Sequence, residues 1–113
     1  MSELKARTCK PIPKGSPALD GLGIAAFRKE LSPEWKILEN PSRLSRDFRF
    51  KSYAETIAFM NQVADLAEKE DHHPDLGVHW GRCVVDLSTH SVGGLSENDF
   101  ILAAKIDGIS SQS

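Results

Sequence analysis

Apolar positions change their period along the chain, and the changes mark out its elements. Leu22, Ala25, Ala26 and Phe27 recur at helical spacing behind Asp20, whose side chain suits an N-cap. Ser32-Pro33 ends that helix near Leu31. Gly21 and Gly23 weaken its first turn by ~1 kcal/mol each relative to alanine. Trp35, Ile37 and Glu39 alternate with Lys36 and Leu38 as a short strand, and Asn40-Pro41-Ser42 is a turn signal. Leu44, Arg46, Phe48 and Phe50 then alternate with Ser45, Asp47, Arg49 and Lys51, a period of two with one buried face.

Ser52-Tyr53-Ala54-Glu55 is a capping box opening the longest apolar-periodic run. Ile57, Met60, Ala64 and Ala67 lie along that helix, with Phe59, Val63 and Leu66 widening the apolar arc. So broad an arc implies two burial partners, the helix's own sheet and another subunit. Pro74 disfavours the α conformation at His73, so the helix finishes near Asp71 or His72. Val78 to Trp80, a turn at Gly81, and Arg82 to His90 form a hairpin. Cys83, Val85, Leu87 and Thr89 take one face, and Val84, Asp86, Ser88 and His90 the other. Ser96 can cap a last helix, with Asp99 three residues on and Phe100, Ala103 and Ala104 as its apolar side. The order helix-strand-strand-helix-strand-strand-helix implies an α+β fold with three helices stacked on one face of an antiparallel sheet.

Composition narrows the setting. A chain of 113 residues suits one core. Residues 1–17 carry Pro11, Pro13, Pro17 and Gly15 and read as an extended lead-in; 18–109 form the domain and 110–113 a tail. A net charge of -2 argues against a nucleic-acid footprint. Arg43, Arg46, Arg49 and Lys51, interrupted by Asp47, read as the solvated side of a strand. No run approaches the ~20 apolar residues that span a bilayer, and the first residues lack the apolar segment of a secretory signal. Cys9 and Cys83 show neither metal spacing nor a disulfide framework, which fits a reducing, cytoplasmic setting.

Candidate chemistry concentrates in Glu68-Lys69-Glu70-Asp71-His72-His73-Pro74, with His90 returning at the end of a predicted strand. Imidazoles beside carboxylates can move protons near neutral pH or bind a metal. Glu68 and His72, four apart, share a helical face, where the carboxylate can fix the imidazole's tautomer. The helix C-terminus also favours imidazolium. His72 or His73 can thus be a general acid, with His90 the complementary base or a second acid. The plainer alternatives are a His-His pair capping the helix, a strand histidine at 90, and a solvated face at Lys69 and Glu70. His79 carries no role. Three imidazoles with an open position also suit zinc, although adjacent helical side chains point about 100° apart and make poor co-ligands.

Taken together these residues resemble the pterin-4a-carbinolamine dehydratases, the dimerisation cofactors of a hepatocyte transcription factor. The family pattern is an acid, three residues, His-His-Pro, five residues, an aromatic, nine residues, a histidine, eight or more residues, then Asp. Here it reads Glu68, His72-His73-Pro74, Trp80, His90 and Asp99. Ser88-Thr89-His90, Gly94-Leu95-Ser96 and Val63-Ala64-Asp65-Leu66-Ala67-Glu68 also look like the family, and the similarity covers about residues 19–107.

The resemblance implies a four-stranded antiparallel sheet with three helices, assembled as homodimers or homotetramers through the 53–70 helix or a sheet edge. It implies dehydration of 4a-hydroxytetrahydropterin to quinonoid dihydropterin in tetrahydrobiopterin recycling, with no metal or organic cofactor. His72 and His90 would be the acid/base pair, with His73 holding the pterin and assisting. The ring would lie between Asp71-His72-His73 and Ser88-Thr89-His90-Ser91, and Glu68 and Asp99 would add polar contacts. Leu76 and Ser91 depart from the aromatic and the acid that many members carry there. The same fold also serves as a protein-dimerisation module, and pterin handling in molybdopterin metabolism is a third role the resemblance allows.

Overall fold

The two predicted hairpins fold as β1 (Lys36–Leu38) with β2 (Arg43–Arg49), and β3 (Asp75–His79) with β4 (Arg82–Leu87), in the computed structural model, which describes residues 3–110. The inner strands then pair antiparallel, giving the order β1-β2-β4-β3. Their register sets Leu44 opposite Leu87, Arg46 opposite Val85 and Phe48 opposite Cys83. Val85 and Cys83 in turn face Leu76 and Val78. Alternation therefore gathers Leu44, Phe48, Cys83, Val85 and Leu87 on one face, all buried, while Asp47 and Arg49 on the other stay exposed.

The predicted α+β architecture holds, but where the sequence predicts three helices the described residues form four: α1 (Glu3–Ala6), α2 (Gly21–Arg28), α3 (Tyr53–Glu70) and α4 (Glu97–Ser110). The extra turn, α1, falls in the segment read as an extended lead-in. Leu4 is its anchor, 0% exposed within the core. Proline spacing says nothing of a single leucine seven residues upstream of the first proline. Residues 1 and 2 of that lead-in and 111–113 of the tail lie outside the described residues.

Local signals set the helix ends. Asp20 Oδ1 accepts from the Gly23 amide at 2.9 Å, starting α2. That helix stops at Arg28, short of the expected Leu31, and the Arg28 guanidinium donates onward to the carbonyls of Ser32, Pro33 and Trp35. Ser52 Oγ accepts from the Glu55 amide at 3.1 Å and starts α3. Thr56, Phe59, Val63, Ala67 and Glu70 form the buried stripe of α3, while Ile57, Met60, Ala64 and Leu66 stay half-exposed. From Phe100 to Ala104 every residue of α4 is buried, as is Ile106, so this helix is the centre of the core. Phe27 and Phe100 meet at 5.5 Å between ring centroids, and Phe48 and Phe59 at 4.6 Å. The chain thus brings the C-terminus of α3, the end of β4 and the N-terminus of α4 toward one rim of the sheet.

Candidate active site

The site begins where α3 ends. Asp71 takes the left-handed conformation, φ 52° and ψ 42°. Its amide donates to Glu68 O and the His72 amide to Ala67 O, the paired bonds of a Schellman ending. Aspartate tolerates this backbone better than most residues, though less well than glycine. The consequence is that His72 leaves the helical register, and the predicted Glu68–His72 pairing across one turn does not form. Glu68 Oε2 lies instead 3.3 Å from His73 Nε2, with the two side chains 79% and 55% exposed. An ion pair so solvated contributes little.

His72 turns inward. Its Nε2 stands 2.6 Å from Asp99 Oδ1, with the histidine side chain 12% exposed and the aspartate fully buried. A carboxylate can only accept, so Nε2 is the donor and Nδ1 is left for other partners. The second carboxylate oxygen is also fully engaged: Asp99 Oδ2 accepts from Thr89 Oγ1 at 2.8 Å and from the Ser96 amide at 2.9 Å. Because the single hydroxyl proton of Thr89 goes to Asp99, the Ser96 hydroxyl must donate to Thr89 Oγ1, 2.7 Å away. Three donors thus converge on one buried carboxylate, and none of its positions is free to rotate.

Backbone bonds hold this network in place. Thr89 N donates to Gly94 O at 2.8 Å, closing a small loop over residues 90–93, and Asp99 N donates to Ser96 O in the first turn of α4. His90 is therefore not a strand end: it opens a 3₁₀ turn (His90–Val92) sealed by Gly93, which has φ 71°. His90 and Ser91 are exposed on that turn, directly after buried Thr89, and Ser88 is half-buried before it. Asp71 is exposed beside His72.

The expected site residues thus fall into two groups. His72, Asp99 and Thr89 form one network, with Ser96 as a member the sequence marked only as a cap. His73 with Glu68, and His90 with Ser91, stand at its exposed margins. Glu70, read from sequence as part of a solvated face, is 8% exposed and accepts from the Cys9 amide at 2.8 Å. Only its place on the Phe59–Val63–Ala67 stripe signalled this. Among the described residues no three His, Cys, Asp or Glu side chains cluster as an ion's ligands.

A family model described as pterin 4 alpha carbinolamine dehydratase matches residues 18–109. The chain belongs to this family. A relative in Nitrosomonas eutropha is 47% identical over 105 residues, covering 93% of this chain and 91% of that one. A relative in Stenotrophomonas maltophilia is 59% identical over 80 residues, covering 71% and 69%. Each carries pterin-4-alpha-carbinolamine dehydratase as a provisional name. Among solved structures, a transcriptional coactivator/pterin dehydratase from Brucella melitensis superposes with a TM-score of 0.77 at 32% identity, covering 82% of this chain and 98% of that one. A pterin dehydratase-like protein described as a RuBisCO assembly factor in the alpha-carboxysome superposes at 0.61 with 27% identity, covering 71% and 93%. The family match over residues 18–109 takes in the buried His72–Asp99 pair.

Proposed function

We propose that this protein dehydrates 4a-hydroxytetrahydropterin to quinonoid dihydropterin by histidine general acid/base catalysis. The observation that carries the reading is the 2.6 Å pairing of His72 Nε2 with buried Asp99 Oδ1 within the region matched by a dehydratase family. The reaction breaks the carbon–oxygen bond at C4a, takes a proton from the neighbouring ring nitrogen and closes the carbon–nitrogen double bond. It needs one proton delivered to the departing hydroxyl and one removed, both near neutral pH, which suits imidazole. Asp99 fixes the His72 tautomer with Nδ1 as the working nitrogen and stabilises the imidazolium when it forms. His90, exposed on the turn after Thr89, is the partner acid or base, and His73 holds the ring and assists. Asp71, Glu68, Ser88, Thr89 and Ser91 supply the polar surroundings. This chemistry serves tetrahydrobiopterin recycling in the cytoplasm.

Stopped-flow dehydration of 4a-hydroxytetrahydropterin tests it. His72→Ala and His90→Ala are each expected to lower the enzyme-dependent rate about 10²- to 10⁴-fold while the fold survives. Rates equal to wild type in both would overturn the reading. We further propose a homo-oligomer, because Ile57, Met60 and Ala64 lie half-exposed along one side of α3. A monomer in light scattering at micromolar concentration would rule that out.

A further inference from the structure

The segment before residue 18 is fastened to the two helix ends that present His72 and Asp99. Cys9 N donates to Glu70 Oε1 at 2.8 Å, and Glu70 is the last residue of α3, two before His72. Lys10 N donates to Asn98 Oδ1 at 3.1 Å while Asn98 Nδ2 donates to Lys10 O at 2.7 Å, and Asn98 directly precedes Asp99. Cys9 Sγ lies 3.5 Å from Asn98 O. Lys105 closes the circuit, its Nζ 3.0 Å from Lys5 O and 3.8 Å from Glu70 Oε2. Leu4 buries the start of the arm in the core. The arm therefore binds the end of α3 and the start of α4 at once, on either side of the 2.6 Å His72–Asp99 bond.

We propose that residues 4–10 act as a brace for the site, with Glu70 and Asn98 as positioning residues that set the separation of His72 from Asp99. The arm adds a tie between helices to the backbone bonds that hold the network within each element. His72 lies just past the end of α3, joined to it by its amide bond to Ala67 O, and Asp99 sits in the first turn of α4, so the two groups ride on separate helix ends. A carboxylate and an imidazole carried on two separate helix ends keep a short bond only while those ends keep their spacing. Glu70 accepts an amide hydrogen with its side chain while its own residue closes α3, so one residue couples arm and histidine.

The test is made on the full chain. In Glu70→Ala, nuclear magnetic resonance of the His72 ring should show its Nε2 proton exchanging with water about tenfold faster, with the His79 ring, bonded to Arg82 at the far end of the hairpin, unchanged. Glu70→Gln keeps an oxygen for the Cys9 amide and should restore the wild-type exchange. Should Glu70→Ala fail to fold, Asn98→Ala decides instead, since its Lys10 bonds are solvent-exposed and it should move the His72 signal in the same direction. Kinetically, kcat for dehydration should fall about tenfold with KM little changed, a loss of placement rather than of binding. This kinetic arm rests on the dehydratase reading, whereas the resonance arm does not. Faster exchange in a protein without dehydratase activity sinks that reading and keeps the brace. A folded alanine variant whose His72 proton exchanges at the wild-type rate removes the brace.

Discussion

At the scale of single residues, Asp99 is the group on which the site turns. Its carboxylate collects the His72 ring, the Thr89 hydroxyl and the Ser96 amide in a fully buried position. A buried hydrogen bond to a charged group is worth about 1.5–3 kcal/mol, and stranding its partner costs more than replacing both. Thr89→Val keeps the shape, removes one donor and also strands the Ser96 hydroxyl. We expect it to lower stability by about 1–3 kcal/mol in urea unfolding. A change below about 0.5 kcal/mol would mean that the three-way arrangement is not satisfied in solution. The sequence made part of this legible. The spacing of Glu68, His72-His73-Pro74, His90 and Asp99 draws attention to the stretch that holds the buried His72–Asp99 pair, but the Glu68–His72 pairing expected from helical spacing does not form. Helical spacing links 68 to 72 only while the backbone stays helical, and Asp71 leaves that state one residue too early. No periodicity argument registers a left-handed aspartate, because composition favours glycine there.

At the scale of elements, α3 and α4 matched their sequence signals while the N-terminal segment did not. Ser52 caps α3 by accepting from the Glu55 amide while its hydroxyl donates to the Glu55 carboxylate, and the Ser96 amide donates to Asp99 at the start of α4. The proline-rich lead-in, by contrast, delivers Leu4 to the core and ties Cys9 and Lys10 across two helices. One leucine has no period, so the pattern could not place it. Leu4→Ala should cost about 2–5 kcal/mol in equilibrium unfolding, the range for a leucine fully buried in a close-packed core. A cost within experimental error would mean that the first turn is detached in solution.

At the scale of the whole molecule, two thiols give the fold a distinct response to alkali. Burial first, then the charge of Glu70 and a hydrogen bond to it, push Cys9 up from 9.0 to about 12. Burial, with the charge of Asp47, also raises Cys83. Both thiols stay protonated in the fold while the unfolded chain ionises them. The stability they protect is therefore present below about pH 9 and is lost as pH rises from there through the folded values. Urea midpoints should fall as pH rises from about 9 toward about 12, and Cys9→Ser should flatten that decline. An equal decline in both proteins would place Cys9 in contact with solvent.

The strand order β1-β2-β4-β3 has a further result. Each hairpin is local, but the central seam joins Arg43–Arg49 to Arg82–Leu87 across the whole of α3. His72, Thr89, Ser96 and Asp99 all come after that seam's first strand, and so do their direct contacts. The buried His72–Asp99 network thus lies in the second half of the chain, on a sheet to which each half contributes two strands. Cleavage in the loop before Ser52 would leave His72 and Asp99 on one piece, which must regain β2 from the other before its sheet is whole.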